Sequence, residues 1–210
     1  MNKLSIKKIL FKIGIIQPRT ITSSTPIDFC SIILYDDELR SYYDNVIFEG
    51  GNAIENPGYV KIGKSVRVGH HTSLHAISNY HGKYSPTLII GDGSIIGSYN
   101  AIAACNKILI GKNVLFAPYV HINDHSHCYQ DITKPIMHQP IFCKGEVVIE
   151  DDCWLGFGCH ILSGATIGKH SVIGANSVVT NNIPPFSVAV GSPAKIIKKY
   201  DFELKEWVNI

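Results

Sequence analysis

The 210-residue sequence has no Cys-x-x-Cys pair, no concentration of basic residues and no uninterrupted apolar segment at its start. Residues 1–18 carry Lys3, Lys7, Lys8 and Lys12 among Leu4, Ile6, Ile9, Leu10, Phe11, Ile13, Ile15 and Ile16. That stretch is too charged and too short to span a bilayer, and it lacks the small-residue cleavage site of a signal peptide. It is expected either to pack as an amphipathic helix on the first coil of the body or to touch an anionic membrane surface. A net charge of +2, with no basic face, excludes nucleic acid as an expected partner. The six cysteines, Cys30, Cys105, Cys128, Cys143, Cys153 and Cys159, follow no metal or redox spacing, so a reduced cytoplasmic setting is expected rather than a disulfide framework. A hydrophobic content of 45% suits one globular unit with a substantial core.

What the sequence does have is a beat of six. Ile149, Leu155, Ile161, Ile167, Ile173 and Val179 recur at that interval, and four residues after each stand Cys153, Cys159, Ala165, Ser171, Ser177 and Ile183. Period six matches neither an α-helix nor a hairpin sheet. It marks a parallel β-helix, whose short strands bury their apolar side chains only by stacking. The large residue is expected inside, the small one at a corner, and Gly156, Gly168 and Gly174 in turns that penalise a Cβ. Cys153 and Cys159 are then core thiols.

The run from Ile149 through Val178 resembles the hexapeptide-repeat acyltransferases, and the resemblance is strongest over Ile110 to Lys199. It implies a left-handed parallel β-helix with three hexads per turn, a protruding loop and a C-terminal helix. Upstream the beat continues through Ile62, Val68 and Leu74, then Ile90, Ile96 and Ile102, then Ile110, Phe116 and Ile122. Coil starts at 62, 90, 110, 149 and 167 stand 28, 20, 39 and 18 residues apart, exceeding an 18-residue coil by 10, 2, 21 and 0. Five coils at ~4.8 Å each give a prism on the order of 24 Å tall. The expected division is a lead-in segment over 1–61, the β-helix over 62–183 with a loop insertion at 128–148, and a cap over 184–210. In that cap Pro193 would begin a helix running from Ala194 to Trp207.

Acyl transfer from a thioester needs a base for the acceptor proton, and imidazole suits that task near neutral pH. His125, where the long loop leaves the third coil, is the candidate; His127 is the nearby alternative and a substrate-site residue. Asp124 could orient the ring, but adjacent residues in extended chain face apart, so another carboxylate or a carbonyl is an equal candidate. The Asp124-His125 step, the Pro135-Ile136 pair in the loop and Trp154 about thirty residues on resemble the sugar O-acetyltransferases of this fold. That resemblance implies that His125 is the base and that Trp154 lines the acceptor and thioester site. Gly191-Ser-Pro-Ala-Lys195 resembles the ending by which the family holds coenzyme A, which implies phosphate contacts at Lys195 and Lys198 and a pantetheine slot along Gly156, Ala175 and Thr180. Asn100 occupies an inward corner, to stack with Asn106 or to contact substrate. The plain readings are a packing role for Trp154 and solvated helix positions for the lysines.

The resemblance implies acetyl-CoA as co-substrate with no metal, a homotrimer with active sites between prisms, and a sugar or nucleotide-sugar acceptor in surface polysaccharide or O-antigen synthesis. Acetylation of the amino group of a nucleotide-linked amino sugar is the alternative. A zinc lyase of the γ-carbonic anhydrase type would need His81, His121 and His127 to converge, and a catalytically silent scaffold would need none of them.

Overall fold

A computed structural model describes residues 32–210; the basic stretch 1–18, with the packing or membrane role expected of it, lies outside those residues. The chain winds round three faces of a prism. Face 1 stacks Ala53–Glu55, Ser73–Ala76, Ala101–Ala104, His121–Asn123, His160–Ile161 and Val178–Val179. Face 2 stacks Val60–Ile62, Thr87–Ile90, Lys107–Ile110, Val147–Ile149 and Thr166–Ile167. Face 3 stacks Val46–Phe48, Val66–Val68, Ile95–Ile96, Leu115–Phe116, Trp154–Leu155, Val172–Ile173 and Ser187–Val190. All these pairings are parallel, and like positions meet: Leu74, Ile102, Ile122, Ile161 and Val179 are successive register partners on face 1. Each of those five is essentially sealed from solvent, a burial worth about 1.5–3 kcal/mol per side chain. The architecture is the left-handed β-helix that the hexads indicate.

The small hexad positions Cys153, Cys159, Ala165, Ser171 and Ser177 are all buried at corners. The glycines act differently from the expectation. Gly156, Gly168 and Gly174 do not adopt positive φ; the left-handed positions are taken by Gly158, Tyr99, Tyr119 and Asn176 among others. What excludes a side chain at Gly156 is close stacking, since a Cβ there would lie 2.7 Å from the Ile173 carbonyl oxygen.

Four expectations need correction. Parallel pairing begins at Val46, not at 62, because Val46–Phe48 and Ala53–Glu55 already pair with the next coil. The body therefore has more than five coils. The insertion occupies the interval between Asn123 and Val147, so Val147 and Val148 belong to a face 2 strand and not to the loop. No C-terminal helix forms: Lys195–Asp201 and Glu206–Asn209 extend face 3 as antiparallel strands, and Pro193 sits in the turn between Val190 and Lys195, not at the start of a helix. The alternation of Ile196, Lys198 and Tyr200 with more exposed neighbours is a period of two, and these strands satisfy the edge of the last coil that would otherwise stand open. The one α-helix among the described residues, Asp36–Tyr42, lies at the opposite end, with Leu39 buried and Glu38 accepting the Tyr35 N–H at 3.1 Å.

Candidate functional site

The 21-residue excess leaves face 1 at Asp124, where the strand His121–Asn123 stops. Two short strands, Ser126–His127 and Ile141–Phe142, pair antiparallel and return it to the prism. Between them Pro135 precedes a 3-10 turn over Ile136–His138, and buried Gln139 donates its amide to the Asp131 and Lys134 carbonyls at 2.9 and 3.1 Å. The loop is thus internally built and folds against the earlier insertion: the Tyr80 hydroxyl donates to the Met137 carbonyl, and the Ile141 N–H donates to the Tyr84 hydroxyl.

Asp124 is fully buried and accepts three backbone N–H bonds from the preceding coil, from Cys105 at 2.8 Å, Asn106 at 2.8 Å and Lys107 at 2.6 Å. Its own carbonyl accepts from the Ser163 hydroxyl at 2.6 Å. Against this fixed carboxylate lies His125, with Nδ1 3.2 Å from Oδ1 and its side chain 13% exposed. Adjacent residues do meet here, contrary to the pleat argument, because the chain turns out of the strand at Asp124. A ring that donates Nδ1–H to Asp124 presents Nε2 as a proton acceptor.

A cleft of about 320 Å³ opens beside the pair, lined by Ser126, His127, Phe142, Lys144, Ser163 and Thr180 among others. His127 and Thr180 are therefore brought together, while His125, next in sequence to Ser126, does not line the cleft. Gly156 and Ala175 occupy the corner between faces 3 and 1, and the Gly191–Ala194 turn closes over it, with the Ala194 N–H donating to the Val178 carbonyl at 2.8 Å. Lys195 and Lys198 lie on the antiparallel extension beside Val190 and Val188. Trp154 projects, half exposed, from face 3 between Leu115 and Val172. None of Trp154, Lys195 or Lys198 lines the cleft beside His127.

Asn100 takes the inward corner as a structural partner. It is buried; its side chain donates to the Gly97 carbonyl at 3.0 Å and accepts the Val120 N–H at 2.6 Å, in a column with buried Asn52 and Thr72 rather than with exposed Asn106. The three histidines of the lyase reading do not form a ligand set: His81 and His127 each pack against the Tyr80 ring, and His121 lies against His160. Among the described residues the one grouping of metal-ligand atoms is Cys105, Asp124 and Cys143. Burial, then the charges of His160, His125 and His75, hold His121 below the usual imidazole range. Ser163 and Lys144 were not singled out from the sequence; within the hexads nothing distinguishes Ser163 from any other polar position.

A three-faced prism of hexads with an imidazole–carboxylate pair where its long loop departs defines a hexapeptide-repeat enzyme scaffold. The family described as bacterial transferase hexapeptide (six repeats) matches residues 146–181. The chain is 34% identical over 160 residues to the putative lipopolysaccharide biosynthesis O-acetyl transferase WbbJ of Escherichia coli, covering 73% of this chain and 79% of that one. It is 37% identical over 139 residues to a probable acetyltransferase of Mycobacterium tuberculosis, covering 66% of this chain but only 44% of that protein's length. A hexapeptide-repeat acetyltransferase of Vibrio cholerae, solved in complex with acetyl coenzyme A, superposes with a TM-score of 0.58 at 29% identity over 69% of this chain and 74% of that one. The chain belongs to the hexapeptide-repeat acetyltransferase family.

Proposed function

We propose that the protein is an acetyl-CoA-dependent acetyltransferase that acetylates a sugar hydroxyl in the making of a surface polysaccharide. The observation that carries this reading is the Asp124–His125 pair at 3.2 Å, anchored by three backbone N–H groups and adjoining a cleft through Ser126 and Ser163. His125 Nε2 takes the proton of the acceptor hydroxyl as its oxygen attacks the thioester carbonyl carbon. Asp124 keeps the ring in the required tautomer and stabilises the imidazolium, and a backbone N–H meets the developing oxyanion. When the carbon–sulfur bond breaks, the imidazolium returns its proton to the departing thiolate.

The placement of Trp154 and Lys195 on face 3, outside the lining of that cleft, supports a site completed between subunits of a homotrimer, with these side chains supplied by the neighbour. The resemblance of the Escherichia coli relative, named for lipopolysaccharide biosynthesis, supports the acceptor class. The cysteine spacing supports a cytoplasmic setting, and among the described residues no helix is long and apolar enough to cross a membrane. The test is thiol release from acetyl-CoA against a panel of oligosaccharides, nucleotide sugars and nucleotide amino sugars. Release with a hydroxyl acceptor, abolished in His125→Ala, is the expected result; acetylation of an amine alone would overturn the hydroxyl assignment.

A further inference from the structure

Beside the Asp124 carboxylate, Cys105 Sγ and Cys143 Sγ approach to 3.1 Å, about 1 Å beyond the length of a disulfide bond. Cys105 is buried in the corner turn of the coil before the one the insertion leaves, and Cys143 is part exposed where the insertion rejoins the prism. Thirty-eight positions separate them in sequence, and most of the insertion lies between. A metal would need a third donor, and Asp124 is the neighbour within range. Its carboxylate is already occupied, with Cys105 N–H and His125 on Oδ1 and the Asn106 and Lys107 N–H groups on Oδ2. A carboxylate offers about four lone-pair sites, so coordination would break the bonds that hold the base. The thiols are left to each other.

The geometry points to a Cys105–Cys143 disulfide, formed by exchange with a low-molecular-weight disulfide, that staples the return of the insertion to the corner holding Asp124. The more exposed Cys143 thiolate attacks the external disulfide and expels one thiolate. Cys105 then attacks the Cys143 sulfur of the mixed disulfide and expels the second. Two protein thiols are oxidised, the external disulfide is reduced, and the protons end on the two released thiols. Burial raises both protein thiols above their ordinary range, which makes the exchange slow. The bond would tie down the loop strand at Phe142 and the wall of the cleft at Lys144, so the consequence for the cleft rests on the function proposed above, whereas the bond itself does not.

The experiment uses the full chain incubated with glutathione disulfide, denatured, alkylated and digested without reduction. The expected map shows a Cys105–Cys143 cross-link that dithiothreitol reverses, and cleavage within 128–142 by a protease slowed about tenfold, as for a locally closed segment. Cys143→Ser, at a part-exposed position, is expected to give neither the link nor the protection. Full alkylation of both cysteines after treatment, or a link through Cys128 instead, would overturn the inference. An unchanged cleavage rate in the cross-linked protein would overturn the staple. None of these readouts depends on acetyl transfer, so a failure here is distinct from a failure of the proposed activity.

Discussion

Asp124 serves two masters, since one carboxylate closes the corner 105–107 and aims His125. Replacing it with alanine leaves three N–H donors without an acceptor, at about 1–3 kcal/mol for the buried one at Cys105 and less for the part-buried ones at Asn106 and Lys107. Asp124→Ala is therefore expected to lower the urea midpoint sharply as well as abolish activity. His125→Ala removes only the ring: kcat should fall about 10²–10⁴-fold, with the corner bonds and the urea midpoint largely kept. Equal destabilisation of the two variants would refute the division of labour. At this scale the sequence was half legible. His125 stood out because loop, repeat and family resemblance converge on it. The Asp124 contact did not, because alternation along a strand assumes that the strand continues, and here it stops. Asn100 was open for a different reason: a polar residue at an inward corner reads as ladder or ligand until its partners are known, and in the structure those partners are Gly97 and Val120.

At the scale of elements, period six was legible because stacked coils impose it on every inward residue. Ile161→Ala, flanked by strands on both sides in the face 1 stack and fully buried, should cost about 2–5 kcal/mol. Ile132→Ala, at 95% exposure on the insertion, should change stability by no more than about 0.5 kcal/mol. Denaturant melts of the two variants check the contrast. The tail was not legible. Pro193 followed by Ala194, Lys195 and two isoleucines is compatible with a helix start, and only the unpaired edge of Ser187–Val190, a tertiary fact, selects strands. The early coils were obscured by weak hexads around Val46 to Val60, where Asn52 and turn glycines interrupt the apolar beat.

For the whole molecule, stability should be bounded on both sides of neutrality. Folded His121 resists protonation, so as pH falls through about 6.5 the unfolded chain binds more protons and stability drops. On the alkaline side burial pushes Cys153 up to about 11 and Cys159 up to about 12 from an ordinary value near 9. The unfolded chain releases those protons first, so stability declines as pH rises beyond about 9. Denaturation midpoints across pH check both limbs, and His121→Gln should flatten the acid limb alone.

The long departures from the hexad, 77–86 and the stretch from Asp124 to Glu146, both fall on the seam between faces 1 and 2, as does the two-residue excess at Cys105 and Asn106. From Phe48 to Val179 the other two seams advance six residues at a time. Ladder bonding is thereby insulated from length changes at that one seam. Swapping the 128–142 segment, which spares Asp124 and His125, for a counterpart of different size should transplant acceptor preference onto an undisturbed column, which makes this seam the natural place to graft new specificity.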